Sequence, residues 1–249
     1  MCTVSWIRHD EGYQLLCNRD EKLTRKPALA PRLAVRNGTQ FVAPEDGDFG
    51  GTWIGTNEFG VSACLLNGTT LTGSENPAAV LGRSRGLMLL ELIPLPSIAA
   101  MRNQLEVTNL SAFAPFTFAA LEPGHPAAVV EWDGSTKSLV FIEADRYMLT
   151  SSSFDSEAVR RSREEQYRDA DDSDALFAFH RSHMPERSAY STCMHRADAK
   201  TVSFSWIQVS REETSFFYTP GAPCEELPAV RVILPGYAGV PGSSLVHNR

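Results

Sequence analysis

The chain has 249 residues, a hydrophobic fraction of 43%, a charged fraction of 21% and a formal net charge of −7. That balance fits a folded globular protein and excludes disorder over most of the length. The acidic surplus gives no general attraction to phosphate backbones, so no nucleic-acid partner is expected.

In chain order, the first third reads as strands and turns. Thr3 to Arg8 and Tyr13 to Cys17 are β-rich runs joined by Asp10-Glu11-Gly12, a hairpin signal. Gln40 to Ala43, Thr52 to Thr56 and Gly60 to Leu66 continue the pattern, with glycine-rich turns at Asp46 to Gly51 and Asn57 to Gly60. The period then changes. Leu87, Leu89, Leu90 and Leu92 suit a helix over Ser84 to Ile93, stopped by Pro94, and Ser97 is the N-cap of a second helix running to Val107. Strands follow at Phe116 to Leu121, Ala127 to Trp132 and Ser138 to Ile142. Ser153 to Arg168, rich in charge and poor in apolar residues, reads as an exposed helix, and Ser173 to Ser182 as an amphipathic one. Strands at Thr201 to Val209 and Ser215 to Thr219 close the pattern, before a loosely held tail from about residue 235. Blocks of strands and helices in this order favour antiparallel sheets with segregated helices, in one domain over residues 1–249.

The most apolar stretch, Leu87 to Met101, carries Glu91 and is cut by Pro94 and Pro96, so no stable membrane insertion is expected. Charge at Arg8, His9, Asp10 and Glu11 interrupts any signal-peptide pattern, which gives a cytoplasmic expectation. The five cysteines, Cys2, Cys17, Cys64, Cys193 and Cys224, contain no C-x-x-C pair and suggest neither a disulfide framework nor a thiolate metal site. Cys17 and Cys64 sit in apolar runs and read as small hydrophobes. His180 and His183 offer a metal pair without a third ligand, and read as a solvated helix face. Cys193, Met194 and His195 offer soft or imidazole ligands to iron or haem, and read as a strand or loop. No cofactor and no metal ligand set is assigned.

Three features carry chemistry. A small residue after Met1 permits removal of the initiator methionine, which frees the α-amine of Cys2. That amine, with an ordinary pKa of roughly 7.7–8.0, accepts the thiol proton of its own residue. Asn18-Arg19-Asp20-Glu21 ends the second strand and returns toward Cys2 if the first two strands pair, bringing a cation for the thiolate or a substrate carboxylate, and a carboxylate to orient the amine. Phe49-Gly50-Gly51-Thr52-Trp53-Ile54-Gly55 combines glycines for positive φ or close backbone approach with an aromatic pocket wall. Asn67, just beyond, either donates an N–H to a developing oxyanion or serves as a turn residue before Gly68.

In this order, Met1-Cys2, Leu16-Cys17-Asn18-Arg19-Asp20-Glu21, Arg25-Lys26-Pro27, Gly50-Gly51-Thr52-Trp53-Ile54-Gly55 and Leu66-Asn67 resemble the NRDE family, the transport and Golgi organisation family. Weaker likeness continues through Gly82-Arg83-Ser84-Arg85-Gly86 and Ser191-Thr192-Cys193-Met194-His195-Arg196. The resemblance implies kinship with N-terminal nucleophile hydrolases and an α+β, four-layer αββα sandwich of two antiparallel sheets. It implies hydrolysis or acyl transfer on a small amide or ester, with Cys2 as nucleophile, Arg19 and Asp20 as electrostatic partners and Asn67 as oxyanion donor. Asn18, Trp53 and Ser151 are then substrate-binding candidates, Ser151 standing where relatives often carry an asparagine. The same resemblance keeps open a non-catalytic carrier of haem or a lipid such as acyl-CoA.

Overall fold

The computed structural model describes residues 2–68 and 82–237. Two antiparallel sheets lie face to face. The first contains β1 (Cys2–His9), β2 (Gly12–Lys22), β10 (Arg146–Ser151), β11 (Ala199–Val209), β12 (Glu213–Thr219) and β13 (Val230–Pro235), in the order β10-β1-β2-β11-β12-β13. It therefore draws strands from both ends of the chain. The second is a meander of β3 (Leu29–Arg36), β4 (Thr39–Glu45), β5 (Ile54–Asn57), β6 (Ser62–Asn67), β7 (Phe116–Leu121), β8 (Ala127–Trp132) and β9 (Lys137–Ile142), each beside the next.

Alternation along the strands builds the layers, because successive side chains point to opposite faces. Val4, Trp6, Leu15, Ile54, Leu66, Ile207 and Phe216 meet between the sheets. The outer face of the second sheet is covered by α1 (Arg85–Leu92) and α2 (Ile98–Val107), through Met88, Leu89, Met101 and Leu105 against Phe116 and Phe118. Ser97 caps α2 as expected, accepting the Ala100 N–H at 3.1 Å. The outer face of the first sheet is covered by α3 (Ser156–Tyr167) and α4 (Ser173–Arg181), with Leu176 and Phe179 on Leu16 and Phe204. The order is helix, sheet, sheet, helix.

Under α3 and α4 the first sheet presents a polar layer. Thr3, Ser5, Asn18 and Asp20 are buried there with Thr201, Arg163 and His180. Arg163 lies on α3, so the expectation of an exposed helix fails on that face: its side chain enters the protein and its guanidinium donates to Thr150 Oγ1 at 3.0 Å and to Ala189 O at 3.2 Å. His180 is likewise buried rather than solvated. Asn18 Nδ2 donates to two backbone carbonyls, so Asn18 Oδ1 accepts from His180 Nδ1 at 3.0 Å, leaving Nε2 to accept from Ser5 Oγ at 2.8 Å.

Three strands lie outside the expected set. β3 carries Pro31 at a register shift and forms an edge, where proline costs no ladder bond. β10 and β13 are the two edges of the first sheet. The tail is anchored further than expected, since Gly236 N–H donates to Glu212 O at 2.9 Å and buried Tyr237 donates to Glu11 O at 3.1 Å. Residues 238–249 of that tail, like Met1, lie outside the described residues. Among the described residues no helix is long and apolar enough to cross a membrane.

Candidate active site

The β1–β2 hairpin sets Cys2 directly opposite Arg19, and β10 sets Ser151 opposite Cys2 on the other side. Cys2 thus begins a central strand flanked by both neighbours, and its backbone nitrogen donates to Ser151 Oγ at 3.3 Å. The Cys2 thiol borders a cleft of about 340 Å³, whose walls include Arg19, Trp53, Asn67, Arg85 and Gly86. At 7% relative exposure it is enclosed but open to that cleft.

Cys17, two residues before Arg19, shares the inter-sheet face. Its thiol hydrogen bond, outweighing burial, draws the Cys2 pKa down to about 7, with the positive charge of the terminal amine and then Arg19 assisting and Asp20 opposing. The same interaction, with burial, pushes Cys17 up. It packs in the inter-sheet core as the small hydrophobe expected from sequence, with its thiol beside that of Cys2. Cys64 is another, fully buried and pushed up to about 12 by desolvation.

Arg19 is held from several sides. Its guanidinium lies 4.2 Å from the centroid of the Trp53 ring, bonds to Asp46, and stands 3.7 Å from Glu21. Asp46 also takes Arg25, at 2.7 Å, and accepts the N–H groups of Asp48 and Phe49 at 3.1 and 3.0 Å. Burial opposes its charge, but those N–H groups and both arginines keep its pKa below the usual carboxylate value. Asp46 appears in the sequence as a turn residue, and no pattern there marks it as the counter-ion of Arg19.

The glycine pair divides the two tasks expected of it. Gly50 has a φ of 65°, in the left-handed region. Gly51 lies against the start of α1, where a Cβ would stand 2.6 Å from the Gly86 carbonyl carbon, and Thr52 N–H donates to Gly86 O at 3.1 Å. This backbone contact joins the two sides of the cleft.

Asp20 follows Arg19 and therefore turns mainly toward the polar layer. Its carboxylate accepts from Thr201 Oγ1 at 2.6 Å and pairs with Arg163 at 3.5 Å, while still bordering the cleft. Burial raises its pKa despite the Arg163 charge. Asn18 is turned fully away, its amide committed to His180 and Thr192, and it does not reach the cleft expected of it. Asn67 ends β6 exposed in the cleft, opposite Phe116. Among the described residues, the one group of side chains with metal-ligand spacing lies away from this cleft.

Two facing antiparallel sheets sandwiched between helix layers make the αββα fold of the N-terminal nucleophile hydrolases. The chain is similar in structure to a Caenorhabditis elegans ortholog of N-acylethanolamine-hydrolyzing acid amidase, with a TM-score of 0.60 and 13% identity over 83% of this chain and 92% of that one. It is similar to penicillin V acylase from Agrobacterium tumefaciens, at 0.54 and 13% over 94% and 86%. It is also similar to the C2A mutant of the conjugated bile acid hydrolase from Clostridium perfringens, at 0.53 and 14% over 93% and 92%. A sequence comparison with curated proteins gives no match. Within this fold class, the chain belongs to the Transport and Golgi organisation 2 family, whose sequence profile matches residues 1–211.

Proposed function

We propose that this protein hydrolyses, or transfers the acyl group of, a small amide or ester through Cys2 after removal of Met1. The observation that carries the reading is the placement of Cys2 at the cleft, opposite Arg19 and with its backbone nitrogen on Ser151 Oγ. The freed α-amine takes the thiol proton, and Cys2 Sγ attacks the substrate carbonyl carbon. The carbonyl π electrons move to oxygen, where the Asn67 side-chain amide donates a hydrogen bond. Collapse of that intermediate expels an amine or alcohol, which leaves with the proton from the Cys2 ammonium, and a thioester remains. Water, giving its proton to the same amine, or an acyl acceptor then releases the product and restores the thiol.

Arg19 supplies positive charge beside the sulfur, and Asp20 with Arg163 holds the strand from behind. Ser151 Oγ accepts from the nitrogen that becomes the α-amine, which fixes where its lone pair points. Trp53 walls the acyl side. Arg85 at the rim favours substrates bearing a negative group: among the described residues it is paired with no carboxylate, whereas Arg19 and Arg25 are matched by Asp46 and Arg83 stands 3.8 Å from Glu91. The amidase, the acylase and the bile acid hydrolase named above lend support by analogy of fold, as does the C2A designation of the last.

Intact mass and substrate profiling test the reading together. The mature chain is expected to lack Met1, and a panel of anionic N-acyl amides and thioesters should give an acyl adduct on Cys2 that Cys2→Ala abolishes. Retention of Met1 in protein that still acylates a substrate, or full activity in Cys2→Ala, would refute it. The carrier reading expects a Soret band or bound acyl-CoA instead, undiminished in Cys2→Ala.

A further inference from the structure

Away from the cleft, three separated segments converge. His183 follows the end of α4, Cys193 and His195 lie in the stretch before β11, and Cys224 sits in the short helical turn Pro223–Glu225 after β12. Each offers one donor atom, and all four atoms lie within 4.8 Å of one another.

We propose that His183, Cys193, His195 and Cys224 bind a zinc ion in a closed tetrahedral site. The ligand set is two thiols and two imidazoles, the mixture that borderline-soft zinc takes in four-coordinate structural sites. Spacing supports it. Zn–S bonds of about 2.3 Å and Zn–N bonds of about 2.0–2.1 Å hold sulfur and nitrogen about 3.6 Å apart across a tetrahedral angle. His195 Nε2 lies 3.5 Å from Cys193 Sγ and 3.4 Å from Cys224 Sγ. The fourth donor supplies an independent sign: His183 Nε2 is shielded from solvent and has no hydrogen-bond partner among the described residues. A buried imidazole nitrogen without a partner is costly, and a metal satisfies it.

The backbone fixes the donors in place. Cys193 N–H donates to Ser182 O at 3.0 Å, His195 N–H to Ser188 O at 3.2 Å, and Met194 N–H to Thr201 Oγ1 at 2.9 Å. Arg187 stands beside the group, 3.4 Å from His195 Nε2 and 3.9 Å from Cys224 Sγ. Zinc with two thiolates and two neutral imidazoles carries no net charge, so the guanidinium gives up His195 and keeps its N–H contact with the Cys224 sulfur. Binding releases the two thiol protons to solvent, with no change of oxidation state.

The site is placed to brace the cleft without entering it. The segment it staples supplies Ala189 O to Arg163, Thr192 O to Asn18, and Met194 N–H to the hydroxyl that serves Asp20.

The full-length protein, purified without chelator, is expected to hold about one zinc per chain by elemental mass spectrometry, falling below about a tenth in Cys224→Ser and in His195→Gln. Cobalt added to chelator-stripped wild type should give the intense visible bands of a tetrahedral site together with a thiolate-to-cobalt charge-transfer band, so the proposal is tested even if a variant does not fold. A stripped wild type that takes up neither ion, a Cys193–Cys224 disulfide seen as a mass about 2 Da lower, or undiminished zinc in Cys224→Ser would each overturn it.

Discussion

The Arg163 guanidinium and the Asp20 carboxylate lie 3.5 Å apart with both side chains wholly buried, one from helix α3 and the other from strand β2 behind Cys2. Such a pair adds little against well-packed apolar replacements, but losing one member strands a charge. Arg163→Ala is therefore expected to destabilise the fold by about 3–5 kcal/mol, read from urea denaturation. The double change Arg163→Met with Asp20→Asn should recover much of that loss. Equal loss in the single and double variants would show that the charge pairing is not the cause.

Thiol reactivity follows the Cys2–Cys17 contact. In protein lacking Met1, the rate of Cys2 alkylation should rise through an apparent pKa below the ordinary thiol value, because Cys17 and Arg19 favour the thiolate. Cys17→Ala removes the donor that stabilises the thiolate, so the midpoint should move upward, toward or beyond the ordinary thiol value of about 8.5. An unmoved midpoint would mean that Arg19 and the amine set the reactivity instead.

Asn67 is exposed at the cleft, and the proposed mechanism has its amide donate to the oxyanion. Asn67→Ala should lower kcat by about 10²–10³-fold with KM little changed, the range for loss of one such donor. A rise in KM at constant kcat would assign Asn67 to ground-state binding.

His180 gives a pH signature of stability. Burial, with Arg163 nearby, lowers its pKa from 6.5 to about 3. Between those values the unfolded chain binds a proton that the native chain does not, so this contribution is lost as pH falls from 6.5 toward 3. His180→Gln should flatten that part of the wild-type curve of unfolding free energy against pH. Parallel curves would contradict a neutral buried imidazole.

Asp46 behaves in the related sense for a carboxylate whose folded pKa is lowered. Its contribution is present above the unfolded value of 3.8 and is lost as pH falls through the lower folded value. Protection of the Asp48 and Phe49 amides from hydrogen exchange, relative to their intrinsic rates, should fall over that range, and should be low at every pH in Asp46→Ala.

Much of this architecture is readable from residue order. Alternation in Thr3 to Arg8 and Tyr13 to Cys17, with the intervening Asp10-Glu11-Gly12, locates the hairpin that brings Arg19 to Cys2. The same alternation carries the correction for Asn18: neighbours on a strand face opposite ways, so placing Arg19 at the cleft sends Asn18 into the layer under α4. Arg163 was not readable, because a charged helix signals solvent unless its partner, 143 positions away on β2, is known. Asp46 was hidden for a different reason, since an aspartate in a glycine-rich loop already has a sufficient local explanation as a turn former. The edge strands β3, β10 and β13 were missed because edges tolerate proline and charge and need no strong apolar period.

The meeting of Gly51 with Gly86 has a consequence for how this protein can diversify. With no side chain between them, main chain rests on main chain, and the gap separating the two walls is set by peptide geometry. Substitutions at Phe49, Arg83 or Arg85 can redecorate the entrance while the aperture keeps its width. A methyl group at either glycine would act as a wedge, altering acceptance of every substrate at once instead of exchanging one preference for another.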